Sequence, residues 1–445
     1  MIRKHLNPPQ ILVIGFLSFI LVGALFLTLP FANTKGCSFV DALFTSTSAV
    51  CVTGLIVKDT PNDFTLFGQI VILLLIQLGG LGYMTSATII FLIVGKKIGI
   101  GERLIMKEAL NVISVEGIVK FTKGVLAFSL FFELTGTLIL TARLMRDFEL
   151  KNAFLYSLFH SVSAFNNAGF SLFSDNLVRY RGDIVVNLVI TTLIIIGGIG
   201  FIVISDLYRF QRREITRLLQ HTKIVLATTA ILILAGATLI YTFEISNSLT
   251  FKTMPLKEKV LSSYFSAVTP RTAGFNTLDY SILKTETLFL TIILMFIGAS
   301  PGGTGGGVKT STFAIVIASL CATMRGLRDV VMFNRRIPSD TVSKSFLLIT
   351  LAGIFCTVCT LYIIKTQDIK YLEAMFEVTS AFGTVGLSVG DGGVRSLSAL
   401  FSDAGKLLIS FAMFVGRLGP LTLAVAIVRH KEERVRYPEG SVIIG

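Results

Sequence analysis

Four short semi-polar inserts, each held between two long apolar runs and each closed by a glycine, constrain this chain more than any other feature. The runs span about residues 10–29, 64–94, 118–142, 183–208, 223–243, 285–323, 344–364 and 400–428. Most are long enough for a membrane helix, which needs about 20 apolar residues to cross a bilayer. The inserts are rich in Ser, Thr and Phe and too short to cross, so they read as re-entrant segments. Composition agrees: 53% of the residues are apolar and 15% charged, against about 25% charged in a soluble domain, and the mean hydropathy is +0.77.

The inserts are copies of one unit. Their closing glycines, Gly54, Gly169, Gly274 and Gly386, are spaced 115, 105 and 112 residues apart. Ten residues before each glycine stands Phe44, Phe159, Tyr264 or Phe376, and twelve before it Ala42, Ser157, Ser262 or Ala374. Five before it stands Ala49, Ala164, Thr269 or Ala381, and one after it Leu55, Phe170, Phe275 or Leu387. The expected fold is an all-α integral membrane protein built from four helix–pore-helix–filter–helix repeats, pseudo-fourfold around a central pore. The repeats are placed at 1–96, 97–210, 211–325 and 326–430, with a tail at 431–445.

The net charge of +13 does not mark a nucleic-acid binder. The basic residues bunch in short stretches between apolar runs: Lys96, Lys97, Arg103 and Lys107; Arg209, Arg212, Arg213 and Arg217; Arg325, Arg328, Arg335 and Arg336. That is the positive-inside pattern of cytoplasmic loops, and no basic groove with interleaved aromatics accompanies it. Both termini and the inter-repeat loops are thereby expected in the cytoplasm, with the inserts entering from outside. Arg3 and Lys4 precede a first run without a small-residue cleavage pattern, so no cleaved signal peptide is expected. Cys37, Cys51, Cys321, Cys356 and Cys359 show no framework spacing. The Cys356/Cys359 pair lies in an apolar run and reads as packing.

Non-helical backbone at membrane depth must be buried in protein or line water. Four such stretches around one axis form a ring: Val50-Cys51-Val52-Thr53-Gly54, Asn166-Asn167-Ala168-Gly169, Arg271-Thr272-Ala273-Gly274 and Gly383-Thr384-Val385-Gly386. A ring of carbonyls can replace the hydration shell of a monovalent cation. The ligand candidates are the carbonyls of Val52, Thr53, Asn167, Ala168, Thr272, Ala273, Thr384 and Val385. Glycine closes each stretch because a Cβ would obstruct that conformation, and pore helices ending there would turn the negative ends of their dipoles toward the ion. The competing reading, four tight external turns, does not account for apolar inserts that repeat with their flanking helices.

A second element is expected on the permeation path. Gly298, Pro301, Gly302, Gly303, Thr304, Gly305, Gly306 and Gly307 interrupt the second helix of repeat three, and no ordinary helix survives six glycines and a proline. A phosphate-binding loop would need Gly directly before Lys309, and Val308 intervenes. Gly79-Gly80 and Gly197-Gly198 hold similar places in repeats one and two and read as packing or bend sites. Arg417, deep in the last run, costs roughly 3 kcal/mol or more at the bilayer centre, so it is expected to face the pore beside the glycine loop as an electrostatic barrier. A structural ion pair is the alternative. Arg271 is expected to brace its filter through a salt bridge, Glu133 to be a paired packing residue, and His160 to bond locally.

These segments, with TPRTAGF at 269–275, GASPGGTGGGVKT at 298–310 and GRLGP at 416–420, resemble the Trk/Ktr/HKT potassium transporter superfamily over nearly the whole chain, specifically the membrane subunit of Ktr systems (KtrB-like). The resemblance implies potassium uptake, with four filter glycines going with potassium over sodium, an intramembrane gating loop including Lys309, a homodimer, and a cytosolic nucleotide-binding (KtrA-like) regulatory ring. It implies K+ as the ion, leaves Na+ open as a second, and implies no covalent cofactor and nucleotide only through the partner subunit. The residues leave open an alternating-access cation transporter, although such folds favour inverted repeats and these run in one direction. No His/Asp/Glu constellation suggests an enzyme.

Overall fold

In the computed structural model, described here for residues 8–82, 118–391, 394–420 and 422–423, each repeat takes the expected order. Repeat one contains α1 (Pro8–Thr28), the pore helix α2 (Phe39–Val50) and α3 (Leu66–Leu81). Repeat two contains α4 (Ile118–Leu144), the pore helix α5 (Leu150–Phe165), α6 (Ile184–Gly198) and α7 (Phe201–Gln211). Repeat three contains α8 (Gln220–Glu244), the pore helix α9 (Leu256–Val268), α10 (Thr285–Phe296) and α11 (Thr310–Met324). Repeat four contains α12 (Ser339–Gln367), the pore helix α13 (Tyr371–Gly383) and α14 (Asp403–Leu418).

The first and second helices of the repeats differ in length among the described residues. Four helices, α1, α4, α8 and α12, are long and apolar enough to cross alone, and α6 with α7 makes a pair bent by 99°. These four are the first helices of the repeats. They expose rows of apolar side chains such as Leu25, Leu138, Leu234 and Leu361, a surface suited to acyl chains. The second helices stop early, and each stops at glycine with left-handed backbone: Gly82 (φ 83°), Gly200 (φ 97°), Gly298 (φ 43°) and Gly419 (φ 85°). In an L-residue that conformation meets steric cost, which glycine escapes.

Small residues set the packing between elements. A Cβ built on Gly79 would lie 2.0 Å from the Val50 carbonyl oxygen; on Gly197, 1.8 Å from that of Phe165; and on Gly416, 1.8 Å from that of Phe382. In three repeats, therefore, the second helix touches a carbonyl at the C-terminal end of its own pore helix backbone to backbone. The packing reading of Gly79 and Gly197 holds. Cys356 and Cys359 are buried free thiols on α12, also as read.

Two details add to the repeat pattern. A two-residue hairpin, Val331–Met332 with Arg335–Arg336, lies between repeats three and four. Phe333 and Asn334 both carry positive φ there, the form that a two-residue hairpin turn requires. The boundary placed at 210 falls inside the last turn of α7. The boundary at 96/97, the basic cluster Lys96 to Lys107, Arg3, Lys4 and the tail 431–445 lie outside the described residues.

Candidate functional site

The four glycine stretches converge. A Cβ on Gly54 would stand 2.4 Å from the carbonyl oxygen of Ala168; on Gly169, 2.7 Å from that of Ala273; on Gly274, 2.4 Å from that of Val385; and on Gly386, 2.0 Å from that of Thr53. Each glycine abuts the carbonyl before the next repeat's glycine, and the fourth returns to the first. The contacts form a closed head-to-tail ring of backbone in which no side chain fits.

Local strain recurs with the same symmetry. Two residues before each glycine, Val52 (φ 50°), Asn167 (φ 58°), Thr272 (φ 70°) and Thr384 (φ 50°) adopt left-handed backbone, and the glycines follow at φ 93°, 71°, 75° and 89°. Left-handed backbone costs an L-residue about 1–2 kcal/mol, and strain of this kind clusters at functional sites. Helix-end geometry holds it in place. In repeat one the Val52 N–H donates to Ala49 O (3.1 Å) and the Thr53 N–H to Ser48 O (2.8 Å). Repeats two and four reproduce both bonds: Asn167 to Ala164 and Ala168 to Ser163; Thr384 to Ala381 and Val385 to Ser380. This is the paired C-terminal cap of a helix.

Hydroxyl groups clamp the stretches from behind, a feature the repeat alignment missed. Ser48 Oγ accepts from Gly54 N–H (3.0 Å) and Ser380 Oγ from Gly386 N–H (3.1 Å). Ser163 Oγ donates to Phe170 O (2.8 Å), and in repeat three Thr269 Oγ1 donates to Phe275 O (2.5 Å). The signal was a serine six residues before glycine; in repeat three Val268 takes that position and Thr269 takes over its role.

The side chains of the filter stretches divide. Asn166 turns away from the ring, its Nδ2 donating to Gln77 Oε1 (2.9 Å) and Glu133 Oε1 (3.0 Å). Asn167 Nδ2 crosses to repeat three, reaching Arg271 O and Thr272 Oγ1 at 3.2 Å each. The salt bridge expected of Arg271 is not formed among the described residues: the side chain is buried, and its Nε and Nη1 lack hydrogen-bond partners. His160 bonds locally as expected, to Tyr156 O (2.7 Å) and Ser171 Oγ (2.9 Å).

The glycine ends of the stretches open on a vestibule of about 340 Å³ whose walls include all four filter glycines and the carboxylates Asp59, Asp175 and Asp279. Loops of neighbouring repeats are stitched together around it. Ser396 N–H donates to Ile56 O (2.9 Å), Leu177 N–H to Asn276 O (3.1 Å), and Ser174 Oγ to Asp59 Oδ2 (2.7 Å). Glu377, buried on α13 and not singled out by the sequence, anchors the rim by accepting from Ser388 Oγ (2.6 Å) and Ser398 N–H (2.9 Å).

The glycine loop lies against the stretches themselves. A Cβ on Gly305 would lie 1.9 Å from Thr272 Oγ1, and one on Gly306 2.6 Å from Thr384 Oγ1; Gly306 N–H donates to that Thr384 oxygen (2.9 Å). The loop is thus packed directly against two filter stretches. It is docked onto the carbonyl ends of two second helices, α6 and α14. Thr304 N–H donates to Gly197 O (3.1 Å), Ser300 N–H to Gly198 O (3.0 Å) and Gly307 N–H to Gly416 O (3.3 Å). A helix end leaves such carbonyls without intrahelical partners, and here the loop uses them. Arg417 completes the dock: its guanidinium donates to the carbonyls of Thr304 and Gly79, and to Gly80 O at 3.3 Å. Lys309 Nζ donates to Gly305 O (2.7 Å) and Gly306 O (3.3 Å). Arg417 makes no ion pair among the described residues, and it lies beside the glycine loop.

The comparisons with known proteins agree with this geometry. Residues 7–436 match the family model described as TrkH, cation transport protein. The chain is 43% identical to the Ktr system potassium uptake protein B of Bacillus subtilis over 99% of this chain and 97% of that one. It is 38% identical to the Vibrio alginolyticus protein of the same name over 98% and 95%. It is 36% identical to the potassium/sodium uptake protein NtpJ of Enterococcus hirae over 100% and 98%. Its fold matches the crystal structure of the potassium transporter TrkH from Vibrio parahaemolyticus with a TM-score of 0.74 at 19% identity, covering 96% of this chain and 86% of that one. The four-repeat ring, its strained glycine stretches and this similarity along the whole chain agree: the chain belongs to the TrkH family of cation transport proteins.

Proposed function

We propose that this protein is the ion-conducting subunit of a potassium uptake system. One observation carries the reading: four backbone stretches close a ring in which each glycine faces the carbonyl before the next. A potassium ion drawn into the vestibule by its carboxylates would exchange water for the carbonyls of Val52, Thr53, Asn167, Ala168, Thr272, Ala273, Thr384 and Val385. The pore-helix dipoles add negative potential from behind. The glycine loop is the gate, with Arg417 and Lys309 holding it closed and placing positive charge on the exit path. The vestibule faces outward and the inter-repeat loops face the cytoplasm, as the basic clusters favour. The names of the relatives add sodium as a second ion, and a Ktr system implies further components. A second copy of this chain and a cytosolic nucleotide-binding ring are the partners we assign.

The test is Gly54→Ser. At φ 93° and with a Cβ 2.4 Å from Ala168 O, any side chain must displace one quarter of the ring. The expected outcome is a potassium-to-sodium permeability ratio reduced by tenfold or more. A ratio equal to wild type would refute the filter assignment.

A further inference from the structure

Glu133 lies near the middle of the membrane helix α4 and is 3% exposed. A carboxylate at that depth is expensive and marks a functional position unless a cation neutralises it. No Lys, Arg or His lies within ion-pairing distance among the described residues. Its side-chain partners are carboxamides. Gln77 Nε2 donates to Oε1 (3.1 Å) and Oε2 (3.2 Å), and Asn166 Nδ2 donates to Oε1 (3.0 Å). Both oxygens lie within hydrogen-bond distance of amide N–H groups, an arrangement that can hold an ionised carboxylate.

The two amides are not arbitrary neighbours. Asn166 belongs to the second filter stretch. Gln77 precedes Gly79 and Gly80 on α3, whose carbonyls receive Arg417, and a Cβ on Gly80 would lie 2.0 Å from Asn166 Oδ1. Glu133 is thus one side chain removed both from the ring and from the helix end that docks the gate. Other buried carboxylates have a plainer explanation. Glu244 and Glu377 accept backbone N–H groups at loop and helix starts, those of Lys284 and Ser398. Glu133 accepts none of these and caps nothing.

We propose that Glu133 is the fixed counter-charge of the permeating cation: a negative charge behind the second filter stretch that offsets Arg417 and Lys309 beneath the ring. Electrostatic attraction through protein is blind to the size of the ion. Selectivity rests on the carbonyls, while Glu133 sets how strongly any monovalent cation is held. The inference rests on the pore reading above.

The test measures potassium and sodium transport by purified protein in liposomes. In Glu133→Gln the KM for both ions should rise by roughly tenfold with their ratio unchanged. Glu133→Asp keeps the charge but shortens the reach to both amides, and its KM should stay within about threefold of wild type. An unmoved KM in Glu133→Gln would overturn the proposal. So would a changed ion ratio, or a defect in Glu133→Asp equal to that of Glu133→Gln, since a polar brace would behave in those ways. If Glu133→Gln does not reach the membrane, Glu133→Asp alone decides between charge and brace. A wild-type protein without saturable potassium transport would end both this inference and the pore reading; wild-type transport with an unmoved Glu133→Gln would end only this one.

Discussion

Replacing Arg417 by Ala should release the gate. Two of its three carbonyl contacts, to Thr304 and Gly79, are close, and the third, to Gly80, is 3.3 Å. A hydrogen bond involving a charged group contributes about 1.5–3 kcal/mol. Counting only the two close bonds at the lower value gives about 3 kcal/mol, a factor of about 150 in the equilibrium between docked and undocked loop. If the docked loop is about 99% populated in the resting protein, more than half of the molecules would open and flux would rise about sixtyfold; at about 90%, the rise would be roughly ninefold. Loss of positive charge from the exit path acts in the same direction. The assay is rubidium or potassium uptake by potassium-depleted cells at matched expression, repeated in liposomes. Arg417→Lys separates the two contributions, because it keeps the charge but loses the planar fork that bridges two carbonyls; its flux should fall between wild type and Arg417→Ala. Maximal flux in Arg417→Ala equal to wild type would refute the argument that these contacts hold the pore shut.

Other positions give independent tests. Gly386→Ala puts a methyl group 2.0 Å from Thr53 O at φ 89°, so ion discrimination should collapse while the protein still reaches the membrane; a wild-type permeability ratio would contradict the ring. Gly197→Ala drives a methyl group to 1.8 Å from Phe165 O, between a pore helix and its second helix. We expect strain of about 1–3 kcal/mol or more and a melting temperature lowered by several degrees in detergent; an unchanged melting curve would show that the two helices do not need backbone contact.

The fold was legible where the chain repeats itself. Four glycines at near-equal spacing, with aromatic and small residues at fixed offsets, place the pore helices α2, α5, α9 and α13 and the ring they end in. The glycine loop was legible because six glycines and a proline cannot continue a helix. What escaped depends on geometry that composition does not carry. Apolar runs measured membrane length but concealed that the second helices of repeats one, two and four stop at Gly82, Gly200 and Gly419, since one or two glycines inside an apolar run are ambiguous. The clamps by Ser48, Ser163 and Ser380 were hidden because repeat three moves the hydroxyl one residue along to Thr269. Arg271 invited an ion pair by chemical type alone, yet no carboxylate lies within its reach among the described residues. Glu133 read as a paired packing residue; its side-chain partners are amides from α3 and the second filter stretch, which no local spacing could reveal.

The most direct measurement is anomalous scattering, or ion-dependent density, from rubidium in the crystallised protein. The account predicts a peak on the axis shared by Gly54, Gly169, Gly274 and Gly386, level with the carbonyls of Thr53, Ala168, Ala273 and Val385. Saturating rubidium that leaves this ring empty and binds elsewhere in the membrane would contradict it.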